Sequence, residues 1–107
     1  PHGQLVSAAI ISVYRYKGRR RCACLEFLVS RLRGAAWALI RRCGEFLEQQ
    51  DIQALHSAAD LSRPRSLQAH ERWGFHRVDI EDWRHAGLLF YDQGDVCYMR
   101  RDCADRQ

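Results

Sequence analysis

Hydrophobic and polar positions alternate along the N-terminal third of the chain in the manner of a β-hairpin. Between Gln4 and Tyr16 apolar residues fall on both faces of an extended strand, so we expect both faces to be covered. A turn centred on Lys17-Gly18 follows, and a second strand runs from about Arg21 to Val29.

The second strand contains one residue that does not fit its apolar character. Strict alternation would place Leu25, Phe27 and Val29 on one face, and Cys24, Glu26 and Leu28 on the other. Glu26 is then a lone carboxylate on an apolar strand, which marks it as a candidate for chemistry.

The period then changes from two residues to that of a helix. A helix is predicted from Gly34 to about Gln50, with an apolar stripe at Ala36, Ile40, Cys43 and Leu47. A strand follows over Asp51–Ala58. The second helix is predicted to begin at Ser62, as its cap, and to end near Trp73, where Gly74 stops it.

The C-terminal third is predicted to complete the sheet. Phe75–Ile80 indicates a short strand, Glu81–Ala86 a loop or helical turn, Gly87–Tyr91 a possible strand, and "VCYMRR" the last strand. The order β-β-α-β-α-β-β predicts a single α/β domain over residues 1–107, an α+β arrangement with helices packed on a mixed sheet.

Composition narrows the possible partners without naming one. The net charge is +4, which favours anionic partners such as phosphates. No apolar run approaches the roughly 20 residues that a membrane span needs, and "QLVSAAIISVY" lacks the basic region of a signal peptide. The basic turn of Lys17, Arg19, Arg20 and Arg21 has no aromatic platform, so nucleic-acid binding is not expected.

The five cysteines do not predict a disulfide framework or a metal site. Their odd number and their placement in strands and a helix favour free thiols in a reducing cytoplasm. A zinc site of Cys22, Cys24, Cys43 and a histidine is the alternative. The sequence lacks the paired Cys and His spacing of such sites, so no metal is expected.

The turn between the second strand and the first helix is a candidate anion site. In "RLRGAAWALI" a small-residue turn enters a helix, where backbone N–H groups are unpaired and the helix dipole is positive. Gly34 and Ala36 allow close approach to the backbone, and Arg31 and Arg33 add positive charge. Many such turns bind nothing, so this signal is weak when taken alone.

Together with "SLQAHERWGF", this turn resembles the GCN5-related N-acetyltransferase (GNAT) superfamily. Arg31, Gly34 and Ala36 fit the family's Gln/Arg-x-x-Gly-x-Gly/Ala loop, and Leu39-Ile40 falls at its Leu pair. The family's second motif is matched by Ser66, Glu71, Gly74 and Phe75, with Arg63 at its asparagine and His70 at its tyrosine. A second register, which aligns Arg33-Gly34 with the family's Arg-Gly, places Arg41 and Arg42 at the Leu pair and fits less well.

The resemblance implies an acetyl-CoA cleft between the strand before the phosphate loop and the next strand. The implied coenzyme-binding residues are Phe27, Leu28, Val29, Arg31, Leu32, Arg33, Gly34, Ala35, Ala36, Trp37, Arg63 and Ser66. The implied reaction is acetyl transfer to a primary amine, carried by a small molecule or a peptide, by direct attack.

The resemblance also implies catalytic roles for two side chains. Glu26 is the candidate general base, and the other interpretation is an edge-strand charge that pairs with a nearby arginine. His70, at the motif tyrosine, is the candidate general acid for the departing thiolate, since an ordinary imidazole pKa keeps a protonated fraction at neutral pH. The other interpretation is a partly buried histidine, with water or a tyrosine as the acid.

The family's strand and two helices before the hairpin have no counterpart in this chain, which begins at Pro1. The sequence is therefore expected to be a fragment, or a minimal member whose acceptor wall comes from a partner subunit. An exposed sheet edge favours a homodimer. A catalytically silent domain that binds acyl-CoA or a protein partner is the alternative function.

Overall fold

A computed structural model describes residues 5–15, 21–32, 34–86 and 94–105. The elements in chain order are β1 (Ser7–Arg15), β2 (Arg21–Ser30), α1 (Ala35–Gln49), β3 (Ala54–Asp60), α2 (Pro64–Arg72), β4 (His76–Arg77), α3 (Ile80–His85) and β5 (Val96–Asp102). They form a five-stranded mixed sheet in the order β1-β2-β3-β5-β4. The predicted turn at Lys17-Gly18, the possible strand over Gly87–Tyr91 and Arg33 lie outside the described residues.

The predicted α/β class is confirmed, and the differences lie at the ends of elements. The segment expected to be a loop or helical turn is α3, and the Asp79 carboxylate caps it by accepting a hydrogen bond from the Asp82 amide at 3.1 Å. Ser62 does not cap α2, because its amide and hydroxyl both donate to the Asp60 carboxylate. Arg63 is the N-cap instead, without a side-chain hydrogen bond. Gly74 stops α2 as predicted, in the left-handed conformation at φ 92°.

A β-bulge at Glu26 changes the predicted faces of β2. Ile10 pairs with Phe27 and Ile11 pairs with Leu25, so Glu26 has no residue opposite it on β1. The extra residue resets the alternation, and Leu25 and Leu28 both pack against the same core cluster. The expectation that Leu28 shares a face with residue 24 is therefore wrong.

The two faces of the sheet are covered unequally. Helices α1 and α2 contribute to one core cluster, which includes Leu25, Ile40, Leu55, Phe75 and Met99. We call this side the helical face. The opposite face is covered by α3, whose Trp83 is 1% exposed and packs with Cys24 and Tyr98.

Part of that opposite face is open at the β1–β2 end. Ile10 is 60% exposed and Phe27 57% exposed, and the two are paired across the strands. Within the described residues, the expectation that both faces of β1 are covered is therefore wrong.

The sheet opens between its two parallel strands. β2 pairs with β3 only at Ala23–Leu55 and Cys24–His56, although β2 continues to Ser30 and β3 to Asp60. Beyond these two pairs, no further pairing joins the described parts of β2 and β3. The predicted cleft beside the phosphate-loop strand corresponds to this opening.

One buried arginine joins the end of α2 to the end of the chain. Arg101 is 1% exposed and donates to the backbone carbonyls of Trp73 at 2.8 Å and Asp105 at 3.1 Å. Gly44 and Gly74 make room for it, since a Cβ at either would lie 3.1 Å or less from a guanidinium nitrogen. No helix among the described residues combines the length and apolarity that crossing a membrane requires.

Candidate functional site

The turn before α1 starts the helix without a side-chain cap. Gly34 is the N-cap at φ 84°, a conformation that strongly favours glycine, and no side chain caps the helix. The first turn contains no acidic residue, so nothing in it neutralises the positive end of the helix dipole. A Cβ at Gly34 would meet no atom within 4 Å, so the space in front of the turn is open.

This turn forms one wall of a groove of about 820 Å³. The residues that line it are Ser30, Arg31, Leu32, Gly34, Ala36, Trp37, Arg72 and Trp73. The last two come from the C-terminal end of α2, so the groove joins the two segments that carry the sequence motifs. Its volume lies within the range of about 300–1,000 Å³ that is typical of pockets for small molecules and cofactors.

The predicted coenzyme residues are distributed unevenly around this groove. Arg31, Leu32, Gly34, Ala36 and Trp37 line it, and Ala35 occupies the first helical position between them. The guanidinium of Arg41 stacks 4.7 Å from the centre of the Trp37 ring.

Other residues predicted from the motifs lie outside the lining. The side chain of Arg63 is 80% exposed and its guanidinium lies 3.7 Å from the Asp60 carboxylate. Ser66 contributes its carbonyl to a hydrogen bond within α2. Phe27 and Val29 lie on the open part of the opposite face, and Leu28 packs against the core.

Sequence reasoning missed three lining residues: Ser30, Arg72 and Trp73. The first ends β2, and the other two directly precede the predicted stop at Gly74. The sequence did show that Arg72 and Trp73 directly precede the motif residue Gly74. Only the packing of α2, however, shows that these two residues face the turn before α1.

Glu26 lies on the face opposite α1 and α2. Its carboxylate is exposed and accepts a hydrogen bond from the Tyr14 hydroxyl at 2.9 Å. The thiol of Cys24 lies near this carboxylate. Burial of the thiol is the larger cause that raises its pKa to about 12, and the negative charge of Glu26 is the smaller one. A hydrogen bond with Ser12 lowers the pKa of Tyr14, but burial and Glu26 outweigh it and raise that pKa overall.

His70 lies in the core between α2 and β3. Its Nδ1 donates to the Ser66 carbonyl at 2.7 Å, and its Nε2 accepts from the Ser57 hydroxyl at 2.7 Å. The ring also packs against Trp73 and Phe75 at centroid distances of 5.3 Å. A backbone carbonyl can only accept, so Nδ1 carries a proton, and because burial lowers the pKa of His70 the neutral ring is favoured, with Nε2 as the acceptor for the Ser57 hydroxyl.

This environment differs from the one expected of a general acid. Burial lowers the pKa of His70, and the Ser66 hydrogen bond only partly opposes the effect. The expectation of an ordinary imidazole pKa is therefore wrong for the folded chain. The structure also does not bring Glu26 and His70 together, since they lie on opposite faces of the sheet.

The thiols considered for zinc are separated by the sheet. Cys22 and Cys24 face α3, whereas Cys43 belongs to α1 on the helical face. Within residues 5–15, 21–32, 34–86 and 94–105, no group of three or more His, Cys, Asp or Glu side chains could hold a metal ion.

Solved structures of an acetyltransferase share this fold. A crystal structure of Tetrahymena GCN5 superimposes with a TM-score of 0.67 and 20% sequence identity, over 94% of this chain and 61% of that chain. The catalytic domain of Tetrahymena GCN5 histone acetyltransferase, in complex with coenzyme A, gives a TM-score of 0.58 and 22% identity, over 92% and 60%.

The present chain thus spans about three fifths of the length of these structures. No protein-family model matches the sequence, and no curated protein matches it. The likeness is therefore one of fold. With its opened mixed sheet and its glycine turn at the start of α1, the chain has a GNAT-like fold.

Proposed function

We propose that this domain binds acetyl-CoA in the groove and transfers the acetyl group to a primary amine by direct attack. The observation that carries the proposal is the position of the groove. It lies where β2 and β3 have diverged, and the uncapped start of α1 and the end of α2 both line it.

The groove offers separate partners for the separate parts of the coenzyme. Amides of the first turn of α1 suit the pyrophosphate, and Arg31 and Arg72 suit the remaining phosphate charge. Trp37 and Trp73 provide aromatic surface for the adenine ring. The edge of β2 beyond residue 24, which does not pair with β3, is suited to the amides of the pantetheine arm. A protein with this fold has been solved in complex with coenzyme A, which supports coenzyme A as the ligand proposed here.

Glu26 is the proposed general base. The bulge gives its carboxylate a place outside the regular ladder, and Tyr14 holds one oxygen by a hydrogen bond. As the amine nitrogen bonds to the thioester carbon and the carbon–sulfur bond breaks, Glu26 takes the proton of the amine. The thiolate then takes a proton from water, because both nitrogens of His70 are engaged elsewhere.

A catalytically silent acyl-CoA-binding domain is the second candidate. The separation of Glu26 and His70 on opposite faces favours it, because the motif position that would supply the acid is turned into the core. The chain also matches only about three fifths of the solved acetyltransferase structures. The two candidates share the coenzyme groove and differ in turnover alone.

Calorimetric titration of the folded chain with acetyl-CoA tests the groove. We expect micromolar binding, which corresponds to about −8 kcal/mol. Gly34→Asp places a carboxylate where the phosphate would lie and should weaken binding more than about tenfold. Gly34→Asn is the matched control, with the same size and backbone demand but no charge, and should retain most of the affinity.

Turnover then separates the two candidates. The chain is incubated with acetyl-CoA and a set of small amines and lysine-containing peptides, and free thiol is measured as it is released. Glu26→Gln should lower kcat and leave the coenzyme affinity unchanged. Binding without turnover would support the silent domain. A folded chain that binds no acetyl-CoA would overturn both candidates.

A further inference from the structure

The bulge in β2 places a carboxylate and an apolar ring next to each other on one face of the sheet. In a regular strand, consecutive side chains point to opposite faces. Here Leu25 and Leu28 both pack in the core of the helical face, and the two residues between them lie on the other face. Glu26 bonds to Tyr14, which packs on the α3 side, and Phe27 is 57% exposed.

Phe27 belongs to a larger group of exposed apolar side chains. Ile10 lies opposite it on β1 and is 60% exposed, while Val29 lies two residues further along β2 and is 48% exposed. We call Ile10, Phe27 and Val29 the apolar patch. Single exposed apolar residues are common, but a contiguous group on one face is typical of a binding surface.

The charges of the two strands favour a ligand with one positive group. Glu26 is the one acidic residue in β1 and β2, and its carboxylate is exposed. A carboxylate has about four acceptor sites, of which the Tyr14 hydroxyl occupies one, so Glu26 can also accept from an ammonium group. Arg15 and Arg21 are paired in register at the other end of the strands. The strands therefore offer one anionic partner with apolar surface beside it.

Strand β2 connects this patch to the coenzyme groove. Ser30 and Arg31 line the groove, and Glu26 precedes Ser30 by four residues, which is about 13 Å of extended strand. A coenzyme arm that lies along β2 would bring its thioester toward Glu26. An acceptor on the apolar patch would reach the same carboxylate from the open face.

We propose that the acetyl acceptor is a primary amine on an apolar chain, whose nitrogen binds at Glu26 and whose hydrocarbon part lies on the apolar patch. This inference rests on the proposed acetyl transfer and names its substrate class. Arylalkylamines and branched alkylamines have this combination of one charge and an apolar body. Polyamines and amino acids carry a second charge, for which β1 and β2 provide no partner beside the patch.

Acetyl transfer to matched amines tests the substrate class. 2-Phenylethylamine is compared with ethanolamine, which lacks the apolar group, and with 1,4-diaminobutane, which carries a second charge, while released thiol is measured. We expect kcat/KM to be at least tenfold higher for 2-phenylethylamine, mainly through a lower KM. Equal kcat/KM for the three amines, or a preference for a lysine-containing peptide, would overturn the proposal.

Variants of the exposed ring then locate the acceptor. Phe27→Ser should raise the KM for 2-phenylethylamine at least fivefold and leave the KM for ethanolamine unchanged, whereas Phe27→Leu should retain most of the affinity. Phe46→Ser is the matched control, because Phe46 is 61% exposed but belongs to α1, on the helical face. Folding is checked by circular dichroism. An unchanged KM in Phe27→Ser would overturn the proposal.

Direct binding of a fluorinated amine distinguishes failure of this inference from failure of the proposed function. The ¹⁹F resonance of 4-fluorophenethylamine is followed without coenzyme, at up to about 10 mM, which detects affinities down to the millimolar range. If acetyl-CoA does not bind but Phe27→Ser abolishes amine binding, the proposed function fails and the amine site stands. If acetyl-CoA binds and amines react without preference, the proposed function stands and the substrate class is overturned.

A second copy of the chain is the other occupant that an apolar patch could have. Analytical ultracentrifugation of the unmodified chain and of Phe27→Ser tests this at the concentrations used for the kinetics. We expect the same sedimentation for both. A dimer that Phe27→Ser separates would show that the patch is an interface between two copies, and it would overturn the acceptor site.

Discussion

The hydrogen bonds from the His70 ring to Ser57 and to the Ser66 carbonyl predict a structural role for this motif residue. Ser57→Ala would remove the donor to Nε2 and leave a buried ring nitrogen unpaired, at a cost of about 1–2 kcal/mol. His70→Ala would remove both hydrogen bonds and the ring contacts with Trp73 and Phe75, at a cost of about 3–5 kcal/mol.

Urea denaturation followed by circular dichroism at pH 7.5 measures these costs. Ser57 and His70 bond each other directly, so the double variant should show a coupling of about 1 kcal/mol between the two sites. His70→Gln gives the same measurement if the alanine variant does not fold. Ser66→Ala is the matched control, because the Ser66 carbonyl that accepts from His70 remains, and it should change stability by less than about 0.5 kcal/mol.

The same variants separate a structural role from a catalytic one. With a structural role, any acetyl transfer per folded molecule should change little in His70→Gln. A structural role for His70 is refuted if the coupling is below about 0.5 kcal/mol and kcat falls at least tenfold while the free energy of unfolding stays unchanged.

Two further predictions concern stability. Burial lowers the pKa of both His56 and His70 in the folded chain. Their contribution to the free energy of unfolding should therefore be complete above the unfolded pKa of about 6.5, and it should be lost as the pH falls toward the folded pKa values. The free energy of unfolding, from urea titrations between pH 8 and 5, should fall by at most about 1.4 kcal/mol per pH unit for each histidine, and a flat profile would contradict this. Arg101→Met should cost about 3–5 kcal/mol in the same assay, because the carbonyls of Trp73 and Asp105 lose a buried donor; a cost below 1 kcal/mol would contradict it.

Local sequence determined the order and type of most elements. The change from a two-residue to a helical period is a property of neighbouring residues, and it placed β1, β2, α1 and α2 near their observed bounds. Glycine at a left-handed position is also a local requirement, which is why Gly34 and Gly74 marked a helix start and a helix end correctly. The resemblance to the GNAT superfamily rested on those same glycines.

The bulge and the opened sheet were decided by pairing between strands. Glu26 is an extra residue only relative to β1, and no alternation within β2 reveals where the partner strand shifts its register. The divergence of β2 from β3 after Cys24 and His56 likewise depends on how two strands, about thirty residues apart in sequence, are packed by the helices above them.

The roles of the histidines also required the tertiary structure. The sequence places His70 in a family motif, but whether its ring meets a thiolate or the Ser57 hydroxyl depends on the face of α2 that packs on β3. His56 and Asp82 are 26 residues apart, and nothing local joins them. Sequence fixes which groups can ionise or donate, whereas burial and partner geometry, which set the pKa and the tautomer, arise only when distant segments pack together.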